Sequence, residues 1–296
     1  MQTTACTVRA SPEWPAAGDF PAHVRHFVAA DYADLLRRNG LDEPLALLSA
    51  TGESLAKPGL HAWRERLRLR LREDGRERDF YLKRFHQLRA PWPLRWPGKR
   101  LGPGGRGMAT LEMAWLKQLG AAGIACPQVV AFAEACGSVG RVGALLMTAV
   151  PGRSLQNWCA ARATRADREL IRRLGFFIGR FHRAGFVHRD LYVSHVFYDE
   201  GATTDPFHLI DLQRVFRPRL LRRRWIVKDL ASLNYSTPAR VATRTDRLRW
   251  LRSYLGLPRL NRSAERLARS VTRKTARIAA HDRSRRARLH AGGAKG

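Results

Sequence analysis

The triplet His188-Arg189-Asp190 constrains this chain more than any other feature, because of what flanks it. Before it lies an apolar stripe at helical spacing (Leu170, Ile171, Leu174, Phe177, Ile178, Phe181), so Asp167 to Ala184 predicts a long amphipathic helix. After it, Val196-Phe197-Tyr198 predicts a short strand, which leaves the triplet in a loop. Further on, Leu209-Ile210-Asp211-Leu212 predicts a second strand that ends in a carboxylate. Two acidic groups at the ends of neighbouring β elements suit phosphoryl transfer. One carboxylate orients or deprotonates an attacking hydroxyl, and the other holds the Mg²⁺ that neutralises a triphosphate. Asp190 is the candidate for the first role and Asp211 for the second.

The N-terminal half supplies the other charged groups such chemistry needs. From Trp63 to Leu71 apolar and charged residues alternate, with Glu65 alone breaking the apolar face, which is the period of a half-buried strand. Glu73-Asp74-Gly75 predicts a tight turn, and Phe80 to Phe85 a partner strand carrying Lys83, the two pairing as an antiparallel hairpin. Residues 89–107, rich in Pro and Gly, predict a long loop. A helix from about Ala109 to Leu119 follows, with Glu112 on the face of Leu116 and Leu119. Val129 to Glu134 and Val142 to Thr148 read as two more strands, Pro151-Gly152 as a hinge, and Ser154 as a helix cap. Ahead of all these, Leu45 to Ser49 is expected to be a strand, His23 to Arg38 a helix, and residues 1–20 a loose leader.

A strand lysine often only extends to water, and Arg-rich chains produce such triplets by chance. Order decides between these readings. Strand lysine, helix glutamate, hinge, long helix, H-R-D loop and strand-end aspartate occur in the sequence of protein kinases. The expected fold is therefore α+β and bilobal, protein-kinase-like, with a small antiparallel-sheet N-lobe and a mainly helical C-lobe. The expected boundaries are an N-terminal extension over 1–43, an N-lobe over 44–150, a C-lobe over 151–260 and a basic tail over 261–296. Lys83 would bind the α- and β-phosphates of ATP, with Glu112 holding its flexible ammonium in place. Backbone amides around Gly52-Glu53-Ser54 would cradle phosphate, since no G-x-G-x-x-G is present.

Composition bounds the partners. A formal charge of +29 implies anionic ones: nucleotide phosphates, nucleic acid, or an anionic membrane leaflet, at about 1 kcal/mol per basic residue near the surface. The four Cys show neither C-x-x-C pairs nor a disulfide framework, which fits reduced thiols in a cytoplasm. No signal pattern opens the chain, and no apolar run approaches the ~20 residues needed to span a bilayer. A soluble or peripheral protein is expected.

With these residues in hand, the chain resembles the lipopolysaccharide core sugar kinases, the Kdo/heptose kinase branch of the protein-kinase-like superfamily. The likeness rests on H-R-D-L-Y-V-S-H from His188 to His195, I-D-L-Q-R-V from Ile210 to Val215, and R-W-I-V-K-D-L-A-S-L-N-Y-S from Arg224 to Ser236. It extends to Y-L-K at Tyr81 to Lys83, E-M-A-W-L at Glu112 to Leu116 and F-H-R-A-G at Phe181 to Gly185, and covers about residues 44–255. The resemblance implies ATP and Mg²⁺ as cosubstrates and a sugar hydroxyl of an anionic glycolipid as acceptor. It also implies action at the cytoplasmic face of the inner membrane, where Arg-rich surfaces would hold the enzyme peripherally. Nucleic acid is not the expected partner. His195 stands where protein kinases place an Asn that ligates Mg²⁺, and an imidazole nitrogen suits phosphate or Asp211 better than Mg²⁺. Asp229 is expected to open a helix and brace the catalytic loop, while His86, His182 and His208 receive no role. The rival readings are a small-molecule kinase of the aminoglycoside or choline type, an atypical protein kinase, and a non-catalytic basic pseudokinase.

Overall fold

The computed structural model describes residues 24–55, 63–88, 107–137, 140–162 and 164–293. The leader over 1–20, most of the loop expected over 89–107, and the Pro58-Gly59 turn lie outside them. The chain divides into two compact units, one made of Met1–Gly120 and Pro127–Ala149, the other of Ala121–Cys126 and Val150–Gly296.

In the first unit, β1 (Val24–Val28), α1 (Ala33–Arg38), α2 (Pro44–Ser49), β2 (Glu53–Ser54), β3 (Arg64–Glu73), β4 (Arg76–Leu88), α3 (Met108–Ala121), β5 (Val129–Gly137) and β6 (Gly140–Thr148) follow in chain order. The strands form one antiparallel sheet of order β1-β5-β6-β4-β3-β2. Alternation sets its faces. Leu67, Leu69 and Leu71 of β3 are buried while the arginines between them stay partly or fully exposed. Glu73 pairs with Arg76 across Asp74-Gly75, both at positive φ (48° and 77°), the conformation that a two-residue hairpin loop demands and that an Asp-Gly pair supplies. The core on one sheet face joins Leu35, Leu36, Leu47 and Leu48 to Leu82, Ala133, Ala144 and Leu146.

Two expectations for this unit are corrected. Val24–Val28 is not the start of a helix but an edge strand antiparallel to β5, with Val24 opposite Ala135 and Val28 opposite Ala131. Val24 and Val28 pack on the core, while Arg25 reaches Glu134 at 3.5 Å and Phe27 lies under the Lys117 ammonium at 3.5 Å. Two valines two positions off a shared residue satisfy a strand and a helix alike, and sheet pairing decides. Pro44–Ser49, read from Leu45 as a strand, is a helical turn with proline at its first position, where the fixed φ favours a helix start. Residues 24–43, expected to precede the lobe, therefore furnish its edge strand and one helical layer.

The second unit carries β7 (Arg153–Ser154), α4 (Leu155–Ala160), α5 (Arg168–Arg183), β8 (Val196–Tyr198), β9 (Phe207–Leu209), α6 (Arg222–Ser236), α7 (Arg244–Leu255) and α8 (Arg262–Gly293). A small sheet orders them β7-β8-β9. The caps are chemical. Ser154 Oγ accepts Asn157 N at 3.2 Å, Asp167 accepts Leu170 N at 2.6 Å, and Thr243 with Asp246 forms a reciprocal capping box. The segment 261–296, expected as a tail, is instead largely the helix α8, which packs along α6. Tyr235 Oη donates to Asp282 at 2.6 Å, and Asn234 Nδ2 to Thr275 Oγ1 at 3.0 Å. Among the described residues no helix is long and apolar enough to cross a membrane.

Candidate active site

The first unit holds Lys83 and Glu112. Lys83 shares one face of β4 with Tyr81 and Phe85, opposite to the core face of Phe80 and Leu82, and α3 covers that second face. The helix comes close because glycines allow it. A Cβ at Gly143 of β6 would stand 2.9 Å from Ala109 Cβ, and one at Gly107 would collide with the Glu134 carboxylate, which itself accepts Thr110 Oγ1 at 2.9 Å. At that separation Lys83 Nζ lies 2.5 Å from Glu112 Oε1, with Lys83 8% and Glu112 1% exposed. A dry pair of this kind adds little net stability, but deleting one partner strands the other charge at a cost of roughly 3–5 kcal/mol. Its consequence is an ammonium fixed in direction. Glu112 Oε2 is buried without a hydrogen-bond partner among the described residues.

Gly52 and Ser54 lie at the β2 edge of the same sheet. Ser54 is exposed and opposite Leu67, while a Cβ on Gly52 would stand 2.6 Å from the Arg68 carbonyl oxygen. Glycine is thus required at 52 for chain packing against β3. Glu53 between them faces Arg68 at 3.5 Å and Arg70 at 3.8 Å.

The second unit holds Asp190, His195 and Asp211. The loop that carries them hangs from a buried acid: Asp229 Oδ2 accepts His188 N at 2.6 Å and meets His182 Nε2 at 3.3 Å, and His182 Nδ1 meets Tyr254 Oη at 2.9 Å. Asp229 lies midway along α6, which corrects its expected place at a helix start, and His182, left without a role, belongs to this network. His188 Nε2 reaches the Ile210 carbonyl at 3.0 Å, tying the loop to the residue before Asp211. Burial foremost, with His195 adding to it against Asp229, pulls the His188 imidazole below its ordinary range, so the ring is neutral. Arg189, at φ 70°, lays its guanidinium over Phe216 and Trp225 at 5.7 and 5.3 Å.

Asp190 thereby emerges at the loop surface, its side chain 24% exposed. Arg214 Nη1 donates to Asp190 Oδ2 at 2.7 Å, and Lys228 Nζ lies 3.7 Å from Oδ1 while donating to the Arg189 carbonyl. Burial depresses the Lys228 ammonium from its usual range, opposed by Asp190. Arg214 and Lys228 are the functional candidates that sequence reasoning missed. They stand inside blocks quoted for the resemblance, but nothing in linear spacing places them on Asp190.

His195 lies between the Asp190 main chain and the Asp211 carboxylate. Its Nδ1 lies 2.8 Å from the Asp190 carbonyl oxygen, which can only accept, so Nδ1 carries the proton. Nε2 is then directed to Asp211 Oδ2 at 3.8 Å, and the ring stacks on His188 with centroids 5.7 Å apart. Asp211 follows β9 in a left-handed conformation (φ 59°, ψ 55°), which Asp tolerates and which turns its carboxylate out of the strand direction. Among the described residues no group of three or more His, Cys, Asp or Glu converges as a metal cage. Mg²⁺ does not require one. It is held by one or two carboxylates together with substrate phosphates, and the oxygens of Asp211 fit that donor set whereas the His195 nitrogen does not.

The antiparallel sheet with its lysine–glutamate pair and the helical unit with its H-R-D loop define a kinase-like fold. A solved structure of WaaP in complex with acyl carrier protein matches with a TM-score of 0.63 at 26% identity, over 86% of this chain and 99% of that one. The lipopolysaccharide core heptose(I) kinase WaaP of Pseudomonas aeruginosa is 33% identical over 161 residues, 51% of this chain and 60% of the relative. The same kinase of Escherichia coli K12 is 33% identical over 117 residues, 36% of this chain and 44% of the relative. The chain thus matches about half the length of these relatives. A profile of the lipopolysaccharide kinase (Kdo/WaaP) family matches residues 102–254, more than half of the chain and including Glu112, Asp190 and Asp211. The chain belongs to the lipopolysaccharide kinase (Kdo/WaaP) family.

Proposed function

We propose that this protein transfers the γ-phosphoryl group of ATP to a sugar hydroxyl, of heptose or Kdo, in the lipopolysaccharide inner core. The observation that carries the reading is the Asp190 loop: a carboxylate at the surface of a rigid, buried-acid-anchored turn, with Arg214, Lys228, His195 and Asp211 around it. Asp190 orients the acceptor hydroxyl and takes its proton. Lys83, aimed by Glu112, binds the α- and β-phosphates of ATP, and Gly52 and Ser54 lend the β2 edge to phosphate. Asp211 holds Mg²⁺, which when bound neutralises charge on the triphosphate. His195 fixes the relation of the Asp190 backbone to Asp211 and faces phosphate rather than metal. Arg214 and Lys228 offset the charge of Asp190 and of an anionic acceptor.

Membership in a lipopolysaccharide kinase family favours this reading over the aminoglycoside, choline and protein kinase alternatives. The site of action is the cytoplasmic side of the inner membrane, with peripheral contact. The second unit also has a partly open pocket of about 710 Å³, lined mainly by apolar residues such as Trp158, Leu170, Ile171, Leu230 and Leu251 together with charged ones such as Arg247 and Arg273. A pocket of that lining suits an acyl chain, and the structurally similar relative was solved with acyl carrier protein, so an acylated carrier belongs among the partners. The test is a mass spectrum of core oligosaccharide from cells with and without the gene. The expected result is a core one phosphate lighter without it, restored by the wild-type chain and not by Asp190→Asn. An unchanged phosphate count would remove the assignment.

A further inference from the structure

The segment that leads from the Asp190 partners into α6 breaks three local rules within five residues. Leu220 and Leu221 are 81% and 67% exposed, the most exposed large hydrophobic residues among those described. Leu221 holds φ 55° as the cap of α6, a left-handed conformation that costs a leucine about 1–2 kcal/mol and that offers the helix no side-chain acceptor. Arg222, Arg223 and Arg224 then occupy the first turn, where the helix dipole disfavours cations. Arg222 is committed to the His182 carbonyl, whereas Arg219, Arg223 and Arg224 stay exposed. From Arg214 through Lys228, both ends included, the sequence has seven basic residues and no acidic one. Apolar tips left this exposed, beside cations set against a positive helix end, are a poor solution for water.

We propose that Leu220 and Leu221 form an insertion tip for an anionic lipid bilayer, with Arg219, Arg223 and Arg224 on lipid phosphates. Such a surface answers the exposed leucines, the uncapped helix end and the unneutralised cations. Lipid phosphate neutralises the arginines and the open helix end, and the hydrocarbon boundary receives the two leucines without needing a shaped pocket. A protein partner would need a groove complementary to a convex pair of side chains, which is why the bilayer is the favoured occupant. The tip lies on the chain between Arg214 and Lys228, both of which face Asp190, so docking here would bring a membrane-borne acceptor toward that carboxylate. The inference deepens the membrane part of the proposed function. It is tested without nucleotide or acceptor, so its failure leaves the kinase reading standing.

The experiment is co-sedimentation of the full chain with vesicles of phosphatidylcholine carrying about 30% phosphatidylglycerol, and with phosphatidylcholine alone, at low and high salt. The test variant is Leu220→Ser with Leu221→Asn, which keeps every charge. The comparator is Arg266→Glu with Arg273→Glu, on exposed positions of α8, which lowers net charge and spares the tip. Expected is wild-type binding to the anionic vesicles and a loss of partition by about ten- to hundredfold in the leucine variant. The melting temperature of that variant should be unchanged or higher, because Asn tolerates the left-handed position. The comparator should keep the greater part of its binding at physiological salt. Equal binding by the leucine variant and wild type would overturn the tip, as would loss in the comparator alone, which would show charge without insertion. Absence of vesicle binding, with the leucine variant instead losing a complex with an acidic carrier protein, would assign the surface to that protein and overturn the bilayer.

Discussion

His188 shows how a residue with no part in the chemistry can set its geometry. Its backbone N–H goes to Asp229 and its Nε2 to the Ile210 carbonyl, leaving Nδ1 buried with no hydrogen-bond partner among the described residues. That arrangement is satisfied by a neutral ring and violated by a protonated one. The native ring therefore titrates below the unfolded value of about 6.5, and the unfolded chain binds the extra proton first as pH falls. Stability from this group is present above about pH 6.5 and is lost as pH drops through the window beneath it. We expect urea midpoints of wild type to fall more steeply between neutral pH and mild acid than those of His188→Asn. Parallel curves would assign the acid sensitivity to other groups. Asp190, by contrast, is a partly exposed carboxylate paired with Arg214 and Lys228, and no property of the triplet itself could have named them.

Among the elements, α5 and α7 display close packing that glycine makes possible. Gly175 and Gly179 stand one turn apart on α5. A Cβ at Gly175 would lie 2.7 Å from the Trp250 carbonyl oxygen, and one at Gly179 would run into the Tyr254 carbonyl. Backbone cannot yield as a side chain can. Gly179→Ala should push α7 away, displacing Tyr254 from His182, and cost roughly 1–3 kcal/mol in urea unfolding despite the better helix propensity of alanine. A gain in stability would mean that the two helices have room to spare. The same scale shows what the sequence made legible. The β3–β4 hairpin was readable because alternation and Asp74-Gly75 agree, and α5 because its stripe and its Asp167 cap agree. Periodicity put Lys83 on a strand and Glu112 on a helix face, and it was the order of elements shared with protein kinases that made their pairing readable. β1 and α2 were misread because five or six residues with three or four apolar ones fit either period, and sheet pairing or a proline decides between them. α8 looked like a tail because its apolar positions are small and few: Ala264, Val271, Thr275 and Ile278 pack or half-bury amid arginines. The His182–Asp229–Tyr254 network joins positions 47 and 72 residues apart and left no local signal.

For the molecule as a whole, the proposed function gives the ion-paired lysine of one unit the nucleotide phosphates and the H-R-D loop of the other the acceptor hydroxyl. Under that proposal the basic surplus of +29 would draw in two anionic substrates, a triphosphate and a glycolipid. The most direct measurement is transfer of labelled γ-phosphate from ATP to isolated lipopolysaccharide lacking inner-core phosphate, by wild type and by Asp190→Asn. The variant changes one exposed oxygen to nitrogen and should melt as wild type does, while incorporation falls by about 100- to 10,000-fold. Incorporation by the variant equal to that of wild type, or none by wild type with intact ATP and Mg²⁺ present, would contradict the account.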